Sequence, residues 1–202
     1  IKKQVDSLTL DLKAGMIPVT FNYQNGEPDV LWMKQLNPEF GETHPPEPIA
    51  EFLNLKPEDI DTTWPIQEVS TGVYFYIIPL KTRDALIQMR LNPDKIIEYN
   101  KNTKSKWPLA WCTEPEDSEN QLKVRMITLT GEDPATGSAN GCFAGYLAKY
   151  RVFGSKKVDV KVEQGAEMNR PSLLYLKSED KGDEIEVLVG GKCVMVAKGH
   201  LA

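Results

Sequence analysis

The sequence is poor in several features that mark large classes of protein. It holds only three cysteines, Cys112, Cys142 and Cys193, which are far apart and include no CxxC pair. An odd number of widely spaced thiols is typical of a reducing cytoplasm. No run approaches the roughly 20 apolar residues of a membrane helix, and the longest, residues 73–80, has the length of a strand. We therefore expect a cytoplasmic protein without a membrane partner.

Positive charge is also scarce. Lysine and arginine number 24 against 29 aspartates and glutamates, a net charge of −5. Since nucleic-acid-binding proteins usually carry a basic patch, this balance argues against a nucleic-acid partner. The first residues, IKKQVDS, lack the apolar core of a signal peptide, and no initiating methionine is present. We expect the chain to begin inside a longer gene product.

The first 36 residues read as three strands. Apolar and polar residues alternate in SLTLDL (7–12), IPVTFNY (17–23) and DVLWMKQ (29–35), as in half-buried strands. Asn25-Gly26 is a strong hairpin signal because both residues tolerate positive φ. A three-stranded antiparallel meander is predicted. It is followed by THPPEPI (43–49), whose three prolines predict a linker or domain boundary.

Beyond the prolines, helix-like and strand-like segments alternate. A helix start is predicted at Asn92-Pro93, with a capping side chain and proline at the first helical position. Gly190-Gly191 is expected to join the last two strands as a hairpin. The predicted helices are 49–55, 82–90, a segment after residue 92, and 138–150, and the predicted strands are 64–70, 72–80, 107–112, 121–129, 156–164, 172–178, 184–190 and 192–198. The fold class is α+β.

The segment GEDPATGSANGC, residues 131–142, lies between a predicted strand and the predicted helix 138–150. It has two interpretations. Thr136 or Ser138 could simply cap the helix. Alternatively, the unpaired N–H groups and positive dipole end of the first turn could bind a carboxylate or phosphate, while Asp133 acts on a proton of the same ligand. No lysine follows the glycine, so this is not a P-loop.

The same residues carry a resemblance to a known family. EDPATGSA, residues 132–139, is similar to the signature of the phenazine-biosynthesis PhzF-like family. Four further segments resemble that family: VSTG (69–72), VRM (124–126), EQGAEMNRPS (163–172) and the closing VGG with Val194 (189–194).

This resemblance implies the two-lobed fold of diaminopimelate epimerase. Each lobe of that fold wraps antiparallel strands around a central helix, and the active site lies in the cleft between the lobes. Residues 46–202 are then the C-terminal lobe, and residues 1–45 are strands that end an otherwise missing N-terminal lobe. The helix after residue 136 is the central helix, with its N-terminus directed at the cleft.

The chemistry implied by the family is proton transfer at carbon. Such enzymes isomerise a small carboxylated substrate without a metal or organic cofactor, and the founding activity isomerises dihydro-hydroxyanthranilate. Carried over to this sequence, Asp133 and Ser138 are the catalytic polar groups. Ser138 and its neighbours Thr136, Gly137 and Ala139 are expected to hold the substrate carboxylate.

Other candidates lie outside the signature. Thr71 and Gly72 either break a strand or line the cleft. Arg170 could bind a carboxylate in a bidentate manner or pair with surface glutamates. Cys142 is interpreted as a small core residue rather than an acid or base. The tryptophans are expected in the core or between the lobes; they are Trp32, Trp64, Trp107 and Trp111.

Two family features are missing from the chain. The first lobe normally supplies a glutamate acid/base and a Gly-His pair in a characteristic context, and neither motif is found here. Gly199 does precede His200, but at the C-terminus, where no position in the cleft is expected. His44 and His200 are interpreted as surface residues. The chain is therefore expected to hold half an active site and to have little activity alone. Expected partners are a small carboxylated substrate and either the missing N-terminal lobe or a second chain, as in a homodimer.

Two alternatives to an isomerase stay open. One is a non-catalytic protein that binds small anions on the same fold, which the missing glutamate and Gly-His pair favour. The other is an interaction module with a vestigial site, in which replacement of Asp133 by alanine would change neither binding nor activity.

Overall fold

The computed structural model describes residues 4–12, 15–194 and 196–199 of the chain. Within these ranges one sheet contains twelve strands: β1 (Ser7–Leu12), β2 (Gly15–Gln24), β3 (Glu27–Lys34), β4 (Glu39–His44), β5 (Ile66–Ser70), β6 (Tyr74–Pro79), β7 (Trp107–Cys112), β8 (Leu122–Thr128), β9 (Gly131–Asp133), β10 (Lys157–Gln164), β11 (Ser172–Asp180) and β12 (Ile185–Gly191). The α-helices are α1 (Pro46–Leu53), α2 (Arg83–Gln88), α3 (Pro93–Tyr99) and α4 (Gly137–Lys149).

The sheet is mixed. Its strand order is β1-β2-β3-β12-β11-β10-β8-β7-β6-β5-β4, and the short β9 pairs with β8. Most neighbours are antiparallel, as predicted, but β6 with β7 and β8 with β10 are parallel. Parallel neighbours require a crossover connection, and these two crossovers contain α2 and α3 in one case and α4 in the other. The α+β class with a central helix is confirmed.

The N-terminal meander is also confirmed. β1, β2 and β3 pair antiparallel in sequence order. Asn25 and Gly26 adopt φ of 53° and 83° at the turn between β2 and β3, the left-handed values that a two-residue hairpin turn requires. β3 then pairs with β12, which joins the meander to the rest of the sheet.

The proline-rich segment is not a linker, so that half of the prediction was wrong, and its alternative as a domain boundary stays a prediction. β4 ends at His44, Pro45 occupies the N-cap position and Pro46 begins α1. The first N–H groups of a helix have no intrahelical partner, so proline costs little there. β4 pairs with β5 rather than with the meander. The assignment of residues 1–45 to a separate lobe stays a prediction.

Helix α4 is buried over almost its whole length, from Ala139 to Ala148. It packs against β11 and β12 on one side and β5 and β6 on the other. Small residues allow this close approach. A Cβ on Gly141 would lie 2.9 Å from the Gln35 side chain, and one on Gly145 would lie 2.5 Å from Pro38. The predicted central helix is therefore present. Between its first residue and Lys149, the described residues are exposed only in the first turn.

The predicted C-terminal hairpin was wrong. β12 ends at Gly191, and the described residues after it form no strand. A Cβ on Gly190 would lie 2.8 Å from the Trp32 ring, so this glycine allows the tryptophan of β3 to pack against β12. Gly190 thus serves packing, and the pair of glycines does not form the predicted turn.

A second core lies on the sheet face opposite α4, where α1, α2 and α3 cover β5 to β7. The Asn92-Pro93 helix start is confirmed, because the Asn92 side chain accepts a hydrogen bond from the Lys95 N–H at 3.3 Å. In the part of the chain that the structure describes, no helix is long and apolar enough to cross a membrane.

Candidate active site at the first turn of helix α4

The segment between β9 and α4 folds back on itself through polar contacts. The Thr136 hydroxyl donates to Asp133 Oδ2 at 2.8 Å, and the Ala135 N–H lies 3.4 Å from Asp133 Oδ1. Thr136 occupies the N-cap position, yet its side chain makes no capping hydrogen bond. Its hydroxyl donates to Asp133 instead, so the prediction that Thr136 caps the helix was wrong. Ser138 lies inside the first turn, so it does not cap the helix either.

The first turn of α4 is open to its surroundings. Gly137 and Ser138 are exposed, and Ala139 is buried beneath them. The N–H groups of these three residues precede the first intrahelical bond, which the Asn140 N–H donates to the Thr136 carbonyl at 3.0 Å. None of the hydrogen bonds found among the described residues uses them. They form a cluster of donors at the positive end of a 13-residue helix.

Gln164 holds this turn in place from the end of β10. Its Nε2 donates to the Asp133 carbonyl oxygen at 2.7 Å and to Thr136 Oγ1 at 2.9 Å. Its Oε1 accepts from the Thr136 N–H at 3.2 Å and from Asn140 Nδ2 at 2.9 Å. The side chain is buried, and all four of its bonds go to the loop or to the helix. Sequence reasoning gave Gln164 no role, although the QG segment that contains it was noted.

Gly165 permits the close contact between the two segments. It adopts φ of +84°, and a Cβ there would lie 2.4 Å from the Arg170 carbonyl oxygen and 2.7 Å from the Pro134 carbonyl oxygen. Only glycine fits this position without moving the backbone. The QG segment therefore sets the position of the loop that carries Asp133.

The first turn borders a groove of about 750 Å³. Ala135 and Gly137 lie at one side of it, next to Gln35. Its opposite wall is apolar and comes from the meander, through Leu8, Leu10, Val19, Phe21, Leu31 and Met33. Ligand sites commonly combine apolar walls with a few polar groups of this kind. Here the polar groups at the side of α4 are the backbone at Gly137 and the side chain of Gln35.

Of the eight predicted site residues, only Gly137 lines this groove. Asp133, Thr136, Ser138 and Ala139 lie on the same turn but are not among the lining residues. The other three predicted binding residues lie elsewhere. Thr71 is buried, with its hydroxyl 3.6 Å from the Cys142 sulfur. Gly72 is exposed at φ +129° beyond the end of β5. Arg170 is exposed, and no salt bridge of its side chain is found among the described residues. A role for these three residues in binding stays a prediction.

Cys142 is a core residue, as interpreted from the sequence. It is fully buried on α4, and burial raises the pKa of its thiol to about 11. A thiol with so high a pKa is a poor acid or base near neutral pH. The four tryptophans also lie in or against the core, as expected. Trp32 and Trp111 are buried, and Trp64 and Trp107 pack against the cluster around α4.

The interpretation of His44 as a surface residue was wrong. Only 6% of its side chain is exposed, its Nδ1 lies 2.8 Å from the Tyr99 hydroxyl, and its Nε2 lies 3.5 Å from Glu68 Oε1. These partners come from α3 and β5, so local sequence could not reveal them. His200 lies outside the described residues.

Comparison with known proteins gives one family and several relatives. The model of the family described as phenazine biosynthesis-like protein, PhzC-PhzF, matches residues 1–199. An uncharacterized isomerase of Clostridium acetobutylicum is 28% identical over 197 residues, which are 93% of this chain and 65% of the relative. The trans-2,3-dihydro-3-hydroxyanthranilate isomerase of Pseudomonas aeruginosa is 27% identical over 96% of this chain and 67% of its own. The chain thus spans about two thirds of these relatives.

Solved structures show the same fold. The phenazine biosynthesis protein of the PhzF family from Bacillus anthracis has a TM-score of 0.82 and 26% identity, over 94% of this chain and 66% of that one. A hydroxyproline epimerase from Agrobacterium vitis has a TM-score of 0.56 and 12% identity, over 95% of this chain and 58% of that one. The second likeness concerns the fold alone.

Proposed function

The chain belongs to the PhzC-PhzF family of phenazine biosynthesis-like proteins, and we propose that it forms part of a cofactor-independent isomerase or epimerase. The reaction would be proton transfer at a carbon of a small carboxylated substrate. The relative from Pseudomonas aeruginosa is an isomerase of trans-2,3-dihydro-3-hydroxyanthranilate, and a compound of this kind is the first substrate to test. The single observation that carries the proposal is the cluster of open N–H groups at the first turn of α4.

These N–H groups would hold the substrate carboxylate. Ser138 adds a hydroxyl on the same exposed turn, next to Gly137. Hydrogen bonds from N–H groups to a carboxylate are charge-assisted and therefore stronger than neutral ones. The absence of a bulky side chain at residues 137–139 supports close approach of a ligand to the backbone.

Asp133 would take part in the proton transfer. Its carboxylate is half-buried at the end of β9, and the contacts from Thr136 and Ala135 fix its direction. An isomerisation removes a proton from one atom and returns a proton to another, so it needs a base and an acid. Asp133 would serve as one polar group of this pair, and the second would come from outside these 202 residues.

A further segment would complete the site. The meander wall of the groove is apolar and open, and exposed apolar patches of this kind mark interaction surfaces. The relatives are longer than this chain by about a third of their own length. We infer that the groove is covered by the remaining lobe or by a second chain, as in a homodimer, and that this chain alone has little activity.

Binding of benzoate tests the carboxylate site directly. Isothermal titration calorimetry of the chain with benzoate is expected to show weak binding, whereas benzamide, which has the same shape and no charge, should not bind. Replacement of Gly137 by proline would remove one N–H donor without adding charge, and it should weaken the binding. Equal binding of benzoate and benzamide would overturn the proposal.

A second candidate is a non-catalytic protein that binds small anions, favoured by the absence of the glutamate and the Gly-His pair. Deuterium incorporation distinguishes the two. The chain is dissolved in D2O together with trans-2,3-dihydro-3-hydroxyanthranilate. The remaining third of the Bacillus anthracis protein, which has no counterpart in this chain, is then added as a separate polypeptide. An isomerase should label the substrate only in the mixture, and not with Asp133→Asn. Benzoate binding without labelling would favour the anion-binding protein.

A further inference from the structure

A buried cluster of charged side chains lies next to the candidate site and is used by none of the steps above. Arg125 of β8 has only 5% of its side chain exposed. Its Nε and Nη2 donate to the two carboxylate oxygens of Glu132 at 2.9 and 2.8 Å. Its Nη1 donates to the carbonyl oxygens of Leu86, Ile87 and Met89, at the end of α2, at 2.7, 3.1 and 3.1 Å. Arg125 therefore connects β9 with the C-terminal end of α2.

Lys123 extends the cluster to the QG segment. Its side chain is 0% exposed, and its Nζ lies 2.7 Å from Glu116 and 2.9 Å from Glu167 Oε1. Burial alone would lower the pKa of Lys123, but the hydrogen bonds that its ammonium donates to these two carboxylates raise the pKa above its usual value. The other oxygen of Glu167 lies 3.9 Å from Arg125 Nε. Glu167 thus joins the two cations.

The cluster reaches both segments that build the site. Glu132 directly precedes Asp133 in β9, and Glu167 follows Gln164 and Gly165 by a few residues. Neighbouring residues in a strand point to opposite faces, so Glu132 turns toward Arg125 while Asp133 contacts Thr136. The two adjacent carboxylates of the signature therefore have different surroundings.

We propose that Arg125 is a positioning residue of the active site. Through Glu132 it fixes the strand that carries Asp133. Its link to the segment that carries Gln164 is electrostatic, because Glu167 lies 3.9 Å from its Nε and is held by Lys123 at 2.9 Å. Both oxygens of Glu132 are occupied by the guanidinium, so this carboxylate positions its neighbour and is not itself an acid or base. This positioning role rests on the proposed function, but one of its tests, hydrogen exchange, needs no ligand.

The test variant is Arg125→Lys, which keeps the charge and loses the planar fork that holds Glu132 in a bidentate manner. Glu132→Gln is the second variant, because it keeps the shape and one acceptor. The control is Val158→Ala, a buried core residue at the start of β10, whose other end carries Gln164. It lowers the free energy of unfolding without removing a contact of the cluster. Hydrogen exchange of the Thr136 and Asn140 amides and the affinity for benzoate are measured in all of them.

Relative to the control, Arg125→Lys should speed exchange at these two amides and weaken benzoate binding by about tenfold, with a smaller change of the same direction in Glu132→Gln. If exchange and affinity in both variants equal those of the control, the positioning role is overturned. If wild-type protein does not bind benzoate, the proposed function fails, and the exchange rates alone decide the positioning role. Should Arg125→Lys not fold, Glu132→Gln decides in the same way.

Discussion

Two polar clusters lie on opposite faces of the sheet, and they differ in whether their backbone donors are already paired. At the first turn of α4, Gln164 binds the loop with four hydrogen bonds, while the N–H groups of residues 137–139 remain directed outward. On the other face, His44 contacts Tyr99 and Glu68, and Glu68 Oε1 also accepts from the Lys104 N–H at 3.2 Å. In this second cluster the N–H groups of Lys104 and Ser105 are already paired with Glu68, which also lines a cavity of about 470 Å³.

This difference separates polar groups that stabilise from polar groups that bind. Buried polar side chains that satisfy one another contribute to the stability of the fold. Donors that a rigid frame leaves unpaired beside a groove are available to a ligand. Changes at the first turn of α4 should therefore affect ligand binding, and those that remove a buried contact there should affect unfolding as well, whereas changes around His44 should affect unfolding alone.

The largest effect is expected for Gly165→Ala. The added Cβ would collide with the Pro134 and Arg170 carbonyl oxygens and would force an alanine to φ of +84°. We expect the free energy of unfolding to fall by about 3 kcal/mol, measured by urea denaturation. Gly182→Ala is the control, because it shares a positive φ of +97° with nothing within 4 Å, and it should cost about 1 kcal/mol. Equal losses would show that the contact with Pro134 does not matter.

Gln164→Leu should have the next largest effect. It leaves the Thr136 N–H and Asn140 without their buried partner, which costs about 2 kcal/mol. Gln67→Leu is matched to it, since Gln67 is also buried and bridges the Gly41 carbonyl and the Tyr150 hydroxyl. Both variants should unfold more easily, but only Gln164→Leu should lose benzoate affinity in calorimetry. Loss of affinity in both would remove the distinction between the regions.

Ser138→Ala should change binding without changing stability. The side chain is exposed on the first turn, so the free energy of unfolding should stay within about 0.5 kcal/mol of wild type. Loss of one hydrogen bond to a carboxylate should weaken benzoate binding about fivefold. Ser118→Ala, at another exposed serine, serves as the control and should bind like wild type. Unchanged binding in Ser138→Ala would exclude the hydroxyl from the site.

The smallest effect is expected for the dependence of stability on pH, through the cluster around His44. Burial lowers the pKa of His44 below its ordinary value, although Glu68 and Glu42 act in the opposite direction. The unfolded chain therefore binds a proton more readily, so this contribution to stability is complete above about pH 6.5 and is lost as the pH falls toward the lower pKa of the folded state.

Urea denaturation of wild type and His44→Gln between about pH 5 and pH 8 tests this contribution. The stability of wild type should fall more steeply toward acid pH than that of the variant. Benzoate affinity at neutral pH should be the same in both, because His44 lies on the face opposite α4. Parallel pH profiles would contradict the shifted pKa.

Local sequence was sufficient for features whose causes are local. The Asn25-Gly26 turn depends on two residues that tolerate positive φ, and the start of α3 depends on the Asn92 side chain and Pro93. The buried small residues of α4 also gave a clear pattern. For the turn and the start of α3 the determining contacts lie within a few positions in the chain, whereas the small residues of α4 also face the distant Gln35 and Pro38.

Contacts between distant residues explain what sequence did not reveal. Gly190 faces Trp32, so a pair of glycines that suggested a turn instead permits packing. His44 is buried because Tyr99, 55 residues later, returns to it. Gln164 donates a hydrogen bond to Thr136, which lies 28 residues earlier in the chain. The resemblance located Asp133 and Ser138, but not the side chains that position them.

The most direct test of the carboxylate site is a map of amide chemical shifts. Uniformly 15N-labelled chain is titrated with benzoate, and benzamide is the control. The amide resonances of Gly137, Ser138 and Ala139 should shift in a saturable manner with benzoate, while those of Lys104 and Ser105, beside Glu68, stay in place. Shifts confined to other residues, or identical shifts with benzamide, would contradict a carboxylate site at the first turn of α4.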